Sequence, residues 1–258
     1  MNNIFSLPRF LMLFKKHLFE KGKEYLLSIL TLTIILIGLL AFVAYKDASG
    51  LTEDMQKLVF VLTFCLSGII FTSMIFSDLG NKRKATTYLM LPASHLEKYL
   101  VTWIFSYLIF QLVFTAVFYL ATAIVLNIGI NEIGNENTVF NIFDSQNKVY
   151  QVFYVYLLAH SLMFYGAVYF RKGHLISTIF SLFLIGVLLS FFNKLLLSLM
   201  IKSEILMSQP FTNLRFSENF NSYYIEAENT SVFVITLLTL ITGILWISAF
   251  YRLKEKEV

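Results

Sequence analysis

Residues 25–45 read YLLSILTLTIILIGLLAFVAY. Twenty-one consecutive positions carry no Asp, Glu, Lys or Arg, and about 20 apolar residues suffice for an α-helix to cross the hydrocarbon layer of a bilayer. Five further stretches share this character: 58–77, 99–126, 151–170, 175–201 and 231–251. Together the six hold 137 of the 258 residues but one of the 36 charged side chains, Lys194. An even scatter would place half of the charges inside them. The partition predicts an all-α integral membrane protein with six transmembrane helices, built as one domain over 1–258. The longest pieces left between spans are 127–150 and 202–230, too short for a separate soluble domain.

Composition agrees. Apolar residues make up 57% of the chain and charged residues 14%, against about 45–50% and about 25% in soluble domains. A disordered chain, a coiled coil and an ordinary cytosolic enzyme are excluded. One cysteine, Cys65, excludes a disulfide framework and a cysteine-based metal site.

The connections divide into two sets of opposite charge. Segments 1–24, 78–98, 171–174 and 252–258 carry 14 Lys or Arg against 6 acids, a net +8. Segments 46–57, 127–150 and 202–230 carry 5 against 10, a net −5. Lys and Arg concentrate on the cytoplasmic side, so both termini are expected there. The overall charge of +4 is then a topological signal and implies no nucleic-acid surface. The N-terminus does not read as a cleavable signal, because charges run through 9–24 and no small-residue cleavage site follows. Residues 5–24 are expected to form an amphipathic interfacial helix. Leu7, Leu11, Phe14 and Leu18 form its apolar stripe, Arg9, Lys16, Glu20 and Lys23 lie off it, and Gly22 turns the chain into the first span. Pro8 suits the first helical turn, where no N–H is needed.

Residues 78–98 read DLGNKRKATTYLMLPASHLEK. Gly80 and Asn81 break the preceding helix, and Lys82 to Leu91 can form a short helix, basic first and apolar later. Pro92 disfavours helical angles at Leu91 and ends it. Ser94-x-x-Glu97 is a capping box that opens span three.

The interfacial helix beginning near Arg9-Phe10, the stretch Tyr88-Leu89-Met90-Leu91-Pro92-Ala93-Ser94-His95-Leu96-Glu97-Lys98, six spans and a sizeable segment before the last span resemble a permease subunit of an ABC-2 type ABC transporter. The likeness is to the small bacterial form whose cytoplasmic loop carries Leu-Pro-x-Ser-x-x-Glu-Lys. The resemblance implies that the N-terminal helix is the elbow helix and that 78–98 is the coupling segment docking on a separate, soluble ABC ATPase. Carried over, Lys82, Arg83, Lys84, Thr87, Tyr88, Leu89 and Leu91 belong to the docking element. Pro92, Ser94, Glu97 and Lys98 form its hinge into span three, and Arg171 and Lys172 make a second contact. It further implies a second permease copy, identical or a sibling, a bacterial cytoplasmic (inner) membrane, transport in the exporting direction, and re-entrant or surface helices within 202–230. Pro210, Asn213, Asn219, Asn221 and Asn229 make that last segment read as loop instead.

No Gly-x-x-x-x-Gly-Lys-Ser/Thr run is present, so the chain does not cradle nucleotide phosphates in the P-loop manner. ATP and Mg are expected in the partner, with no cofactor, metal or catalytic residue in this chain. His160, mid-span, has two readings: a substrate-path residue or a neutral histidine bonded across helices. Lys194, beside Asn193, either snorkels toward the outer surface or meets an anionic substrate. Tyr154, Tyr156, Tyr165 and Tyr169 either line a path for an amphipathic substrate or pack between helices. Tyr and Trp at span ends, Trp103 and Trp246 among them, read as interface belts. Gly38, Gly68, Gly166, Gly186 and Gly243 are expected to allow close helix approach. Two other functions stay open: a non-transporting membrane subunit or anchor, and an intramembrane enzyme, for which the spans offer few polar groups and no paired carboxylates.

Overall fold

The computed structural model describes residues 5–46, 50–76, 93–128, 138–144, 149–170, 173–200, 204–207, 214–218, 221–225 and 230–255. The chain forms α1 (Leu7–Lys46), α2 (Glu53–Met74), α3 (His95–Ile104), a π-turn (Phe105–Ile109), α4 (Phe110–Asn127), α5 (Gln151–Tyr169), α6 (His174–Met200), strands β1 (Glu204–Met207), β2 (Leu214–Glu218) and β3 (Asn221–Ile225), and α7 (Thr230–Glu255). Among the described residues six helices are long and apolar enough to cross a membrane, with α3, the π-turn and α4 counting as one. They fall on the six apolar stretches of the sequence, and this is the architecture of a multi-pass membrane protein.

Two expectations are corrected. The chain does not break at Gly22, because α1 runs unbroken for 40 residues from Leu7 to Lys46. A straight helix of that length would measure roughly 60 Å, twice the hydrocarbon thickness. Contacts place its first half beside α3 rather than beyond it: Arg9 reaches Glu97, and the rings of Phe14, His17 and Tyr25 all reach Phe105. Those three side chains share one face, whereas Leu7, Leu11, Met12, Leu18 and Phe19 are exposed. Phe14 therefore leaves the expected lipid-facing stripe and joins the protein interface.

The second correction concerns 202–230. In place of surface helices or featureless loop, β1, β2 and β3 form an antiparallel meander in the order β1-β2-β3. Leu214 pairs with Ile225 and Glu218 with Asn221, while a shift in register interrupts β1 between Ile205 and Met207. Pro210, Asn213, Asn219 and Asn229 lie outside the described residues. The apolar–polar alternation of Leu214-Arg215-Phe216-Ser217 suits a strand.

The main core is a phenylalanine ladder. Phe60 and Phe64 on α2, and Phe110, Phe114 and Phe118 on α4, recur every four residues and so line one face of each helix. They interleave with centroids 5.0 to 5.8 Å apart, mostly edge to face, a geometry worth roughly 0.5–1.5 kcal/mol per pair beyond burial. Phe140 closes one end of the ladder against Phe60 and Phe118. Buried Gln56 holds that plug: its side-chain amide donates to the carbonyls of Leu51 and Thr138 and accepts from the Phe140 N–H.

Of the five glycines expected at helix contacts, two serve there. A Cβ on Gly68 would collide with the Tyr156 ring, and one on Gly166 with Thr178. These are the close approaches of α2 to α5 and of α5 to α6. Gly38, Gly186 and Gly243 face open space.

Candidate functional site

Two polar junctions stand out in an otherwise apolar bundle, one at the start of span three and one in its middle. At the start, Ser94 and Glu97 make the expected capping box: the Glu97 N–H donates to the Ser94 hydroxyl at 3.2 Å, and the Ser94 N–H to a Glu97 carboxylate oxygen at 2.9 Å. The other carboxylate oxygen accepts from the Ser6 N–H at 2.7 Å and from the Arg9 guanidinium at 3.0 Å. Glu97 is fully buried. A buried carboxylate needs charge-assisted donors to stay inside, and two of its donors come from the N-terminal segment. The cap of span three and the start of α1 therefore form one unit. Lys98, next in sequence, is also buried.

Lys82, Arg83, Lys84, Thr87, Tyr88, Leu89, Leu91 and Pro92, and likewise Arg171 and Lys172, lie outside the described residues. What flanks them is placed. Ala93 and Ser94 follow the first group. Gly173, next to the second, takes a left-handed conformation with φ +61°, which glycine adopts without the clash a Cβ would bring.

Against Ser106 of span three, His160 of α5 is fully buried. Its Nδ1 lies 3.3 Å from the Trp246 indole nitrogen, and its Nε2 lies 2.9 Å from the Ser106 hydroxyl. An indole N–H only donates. Nδ1 therefore accepts, the ring proton resides on Nε2, and Nε2 donates to Ser106 Oγ. Ser106 Oγ in turn donates to the Trp103 carbonyl at 3.2 Å. Each polar atom of this neutral histidine is satisfied, so it bonds α5 to both α7 and span three. One turn earlier on α5, the Tyr156 hydroxyl donates to the Ser106 carbonyl at 3.0 Å and accepts from Thr72 of α2 at 3.3 Å.

The other two proposed path residues sit elsewhere. Tyr165 stacks on Tyr169. Lys194 is exposed on α6, a helix whose described residues bury Thr178 alone. Among the described residues no hydrogen bond or ion pair joins Lys194 to His160 or Tyr165. The tyrosines of span four do not share a face: Tyr154 is 68% exposed and Tyr156 fully buried. Trp103 and Trp246, expected at the interface, pack on each other with centroids 5.3 Å apart.

Sequence reasoning missed Ser106, Thr72 and the inward role of Trp246. A signal existed for one of them: Tyr156 and His160 are four residues apart, so both point to one neighbour. Among the described residues no group of three or more His, Cys, Asp or Glu is placed to hold a metal ion. Compared with protein-family models, curated proteins and solved structures, the chain matches none.

Proposed function

We propose that this chain is the membrane-spanning permease subunit of an ABC-2 type transporter of the bacterial cytoplasmic membrane, working as an exporter and driven by a separate ATPase. The observation that carries the reading is the Glu97 junction. A motif resembling the permease coupling loop ends in a folded capping box, and that box is bonded to the N-terminal helix at Ser6 and Arg9. A push on 82–91 would therefore reach α1 and span three together.

The charge asymmetry supports the orientation: the +8 set of segments, which holds both termini and 78–98, faces the cytoplasm where an ATPase resides. ATP and Mg belong to that partner. Two permease copies line the path, and nucleotide binding biases a two-state arrangement of spans one to three against the rest. In this reading the first half of α1 is the elbow helix, its exposed Leu7, Leu11, Met12, Leu18 and Phe19 in the lipid interface and Lys15, Lys16 and Lys23 at the headgroups.

The test is a native pull-down of the full chain from its own membrane. A soluble P-loop ATPase should co-purify with wild type and be lost from Leu91→Asp and from a deletion of 84–91. Purification without such a partner, or undiminished retention by both variants, would overturn the reading in favour of a membrane subunit that works without one.

A further inference from the structure

Span three is not a continuous α-helix. At Phe105–Ile109 it widens into a π-turn, in which the Phe110 N–H bonds to the carbonyl of Phe105, five residues back, and to that of Tyr107, passing over Ser106. Such turns carry one residue more than the α-helical period, and they recur at sites that move or bind. Here three successive residues of the turn are held by three other helices, α1, α5 and α7. Phe105 lies among Phe14, His17 and Tyr25 of α1. The carbonyl and hydroxyl of Ser106 are held by Tyr156 and His160 of α5. Tyr107 stacks flat on Tyr156, 6.0 Å away, and meets Trp246 of α7 edge-on.

We infer that this π-turn is a joint in span three, clamped shut by the hydroxyl of Tyr156 and the imidazole of His160, about which α3 turns relative to α4 when the clamp opens. The carbonyl of Ser106 is the pivot. In a dry bundle a backbone acceptor without a partner is costly, and the Tyr156 hydroxyl supplies one from outside the helix. The alternative is an intrahelical bond, which closes the turn to α-helix, takes up the extra residue, and rotates α3 by up to about 100° against α4. The Tyr156 bond holds the joint in one of its two states. Thr72 bonds to that same hydroxyl, so α2 senses the state too. Upstream, Glu97 lies in the first turn of α3, so displacement of the Arg9–Glu97 junction has a defined place to be absorbed, less than three helical turns away. The joint belongs to the bundle and does not depend on any ATPase.

The test uses the full chain in lipid nanodiscs. Spin labels at Leu96→Cys on α3 and Leu120→Cys on α4, in a Cys65→Ser background, report the angle between the two halves of the span. Amide exchange over 106–111 reports the turn itself. Wild type should give one narrow distance distribution. Tyr156→Phe, which keeps the ring and removes one oxygen, should give a second population and exchange at 106–111 at least tenfold faster, with exchange over 58–70 unchanged. His160→Phe should act in the same direction, and Thr72→Val more weakly. A distance distribution unchanged in both Tyr156→Phe and His160→Phe would overturn the joint. So would accelerated exchange across α2 and α5 as well as the turn, because the network would then be ordinary core packing.

Discussion

Single residues carry this fold where two helices come too close for a side chain. Gly166 meets Thr178, and Gly68 meets the ring of Tyr156. Gly166→Ala should destabilise the protein by about 1–3 kcal/mol, the usual cost of overpacking, read as a lower thermal midpoint in detergent. Gly166→Ala with Thr178→Ala should recover most of that loss, since the clash is with the threonine side chain itself. Additive losses in the double variant would place the strain elsewhere. Gln56 is the opposite case, a polar side chain kept inside because it is fully used. Gln56→Leu strands the Phe140 N–H and the Leu51 carbonyl, each buried orphan costing about 1–3 kcal/mol. The Phe140 plug should loosen, with faster amide exchange at 138–142 while 110–118 stays protected. Neither role is written in the local sequence. Gly38, Gly186 and Gly243 resemble Gly68 and Gly166 in context, and only the packing separates them.

At the scale of elements, the legible features are those with a local cause. The six spans follow from the placement of charges, and the start of α3 from the Ser94-x-x-Glu97 spacing. The π-turn was not legible, because one extra residue in a continuous apolar helix leaves no mark on periodicity, and its stabilisation comes from Tyr156 and His160, about 50 residues away. The meander at 204–225 was obscured because its strands are only four or five residues long, and proline and asparagine between them read as loop. The first half of α1 was half legible. Leu7, Leu11 and Leu18 are exposed along one stripe, but Phe14 and His17 turn toward Phe105, and Glu97 draws Arg9 inward. The junction at Glu97 can be measured by a double-mutant cycle. Arg9→Ala and Glu97→Gln should couple by roughly 0.5–3 kcal/mol, as residues sharing one ion pair do. Glu97→Gln alone should cost more than Arg9→Ala, because it also weakens the cap. Coupling near zero would mean that α1 and α3 meet without depending on each other.

For the whole molecule, α6 is the least buried of the spanning helices. Its 27 residues touch α5 and α2, with Thr178 against Gly166, and its C-terminal half, with Lys194, is largely exposed. Lys194→Met distinguishes the two readings of that charge: loss of transport with the protein still in the membrane fits a substrate contact, and full transport fits a snorkelling lysine. In the proposed reading, the energy for transport comes from the partner ATPase through the segment at 82–98, which ends at the Glu97 junction. The direct measurement is ATP turnover by the captured P-loop ATPase on proteoliposomes carrying this protein. Wild type should raise the turnover several-fold over empty liposomes, and protein lacking 84–91 should leave it at the empty-liposome rate. Equal turnover with wild type and with the deletion would contradict the account.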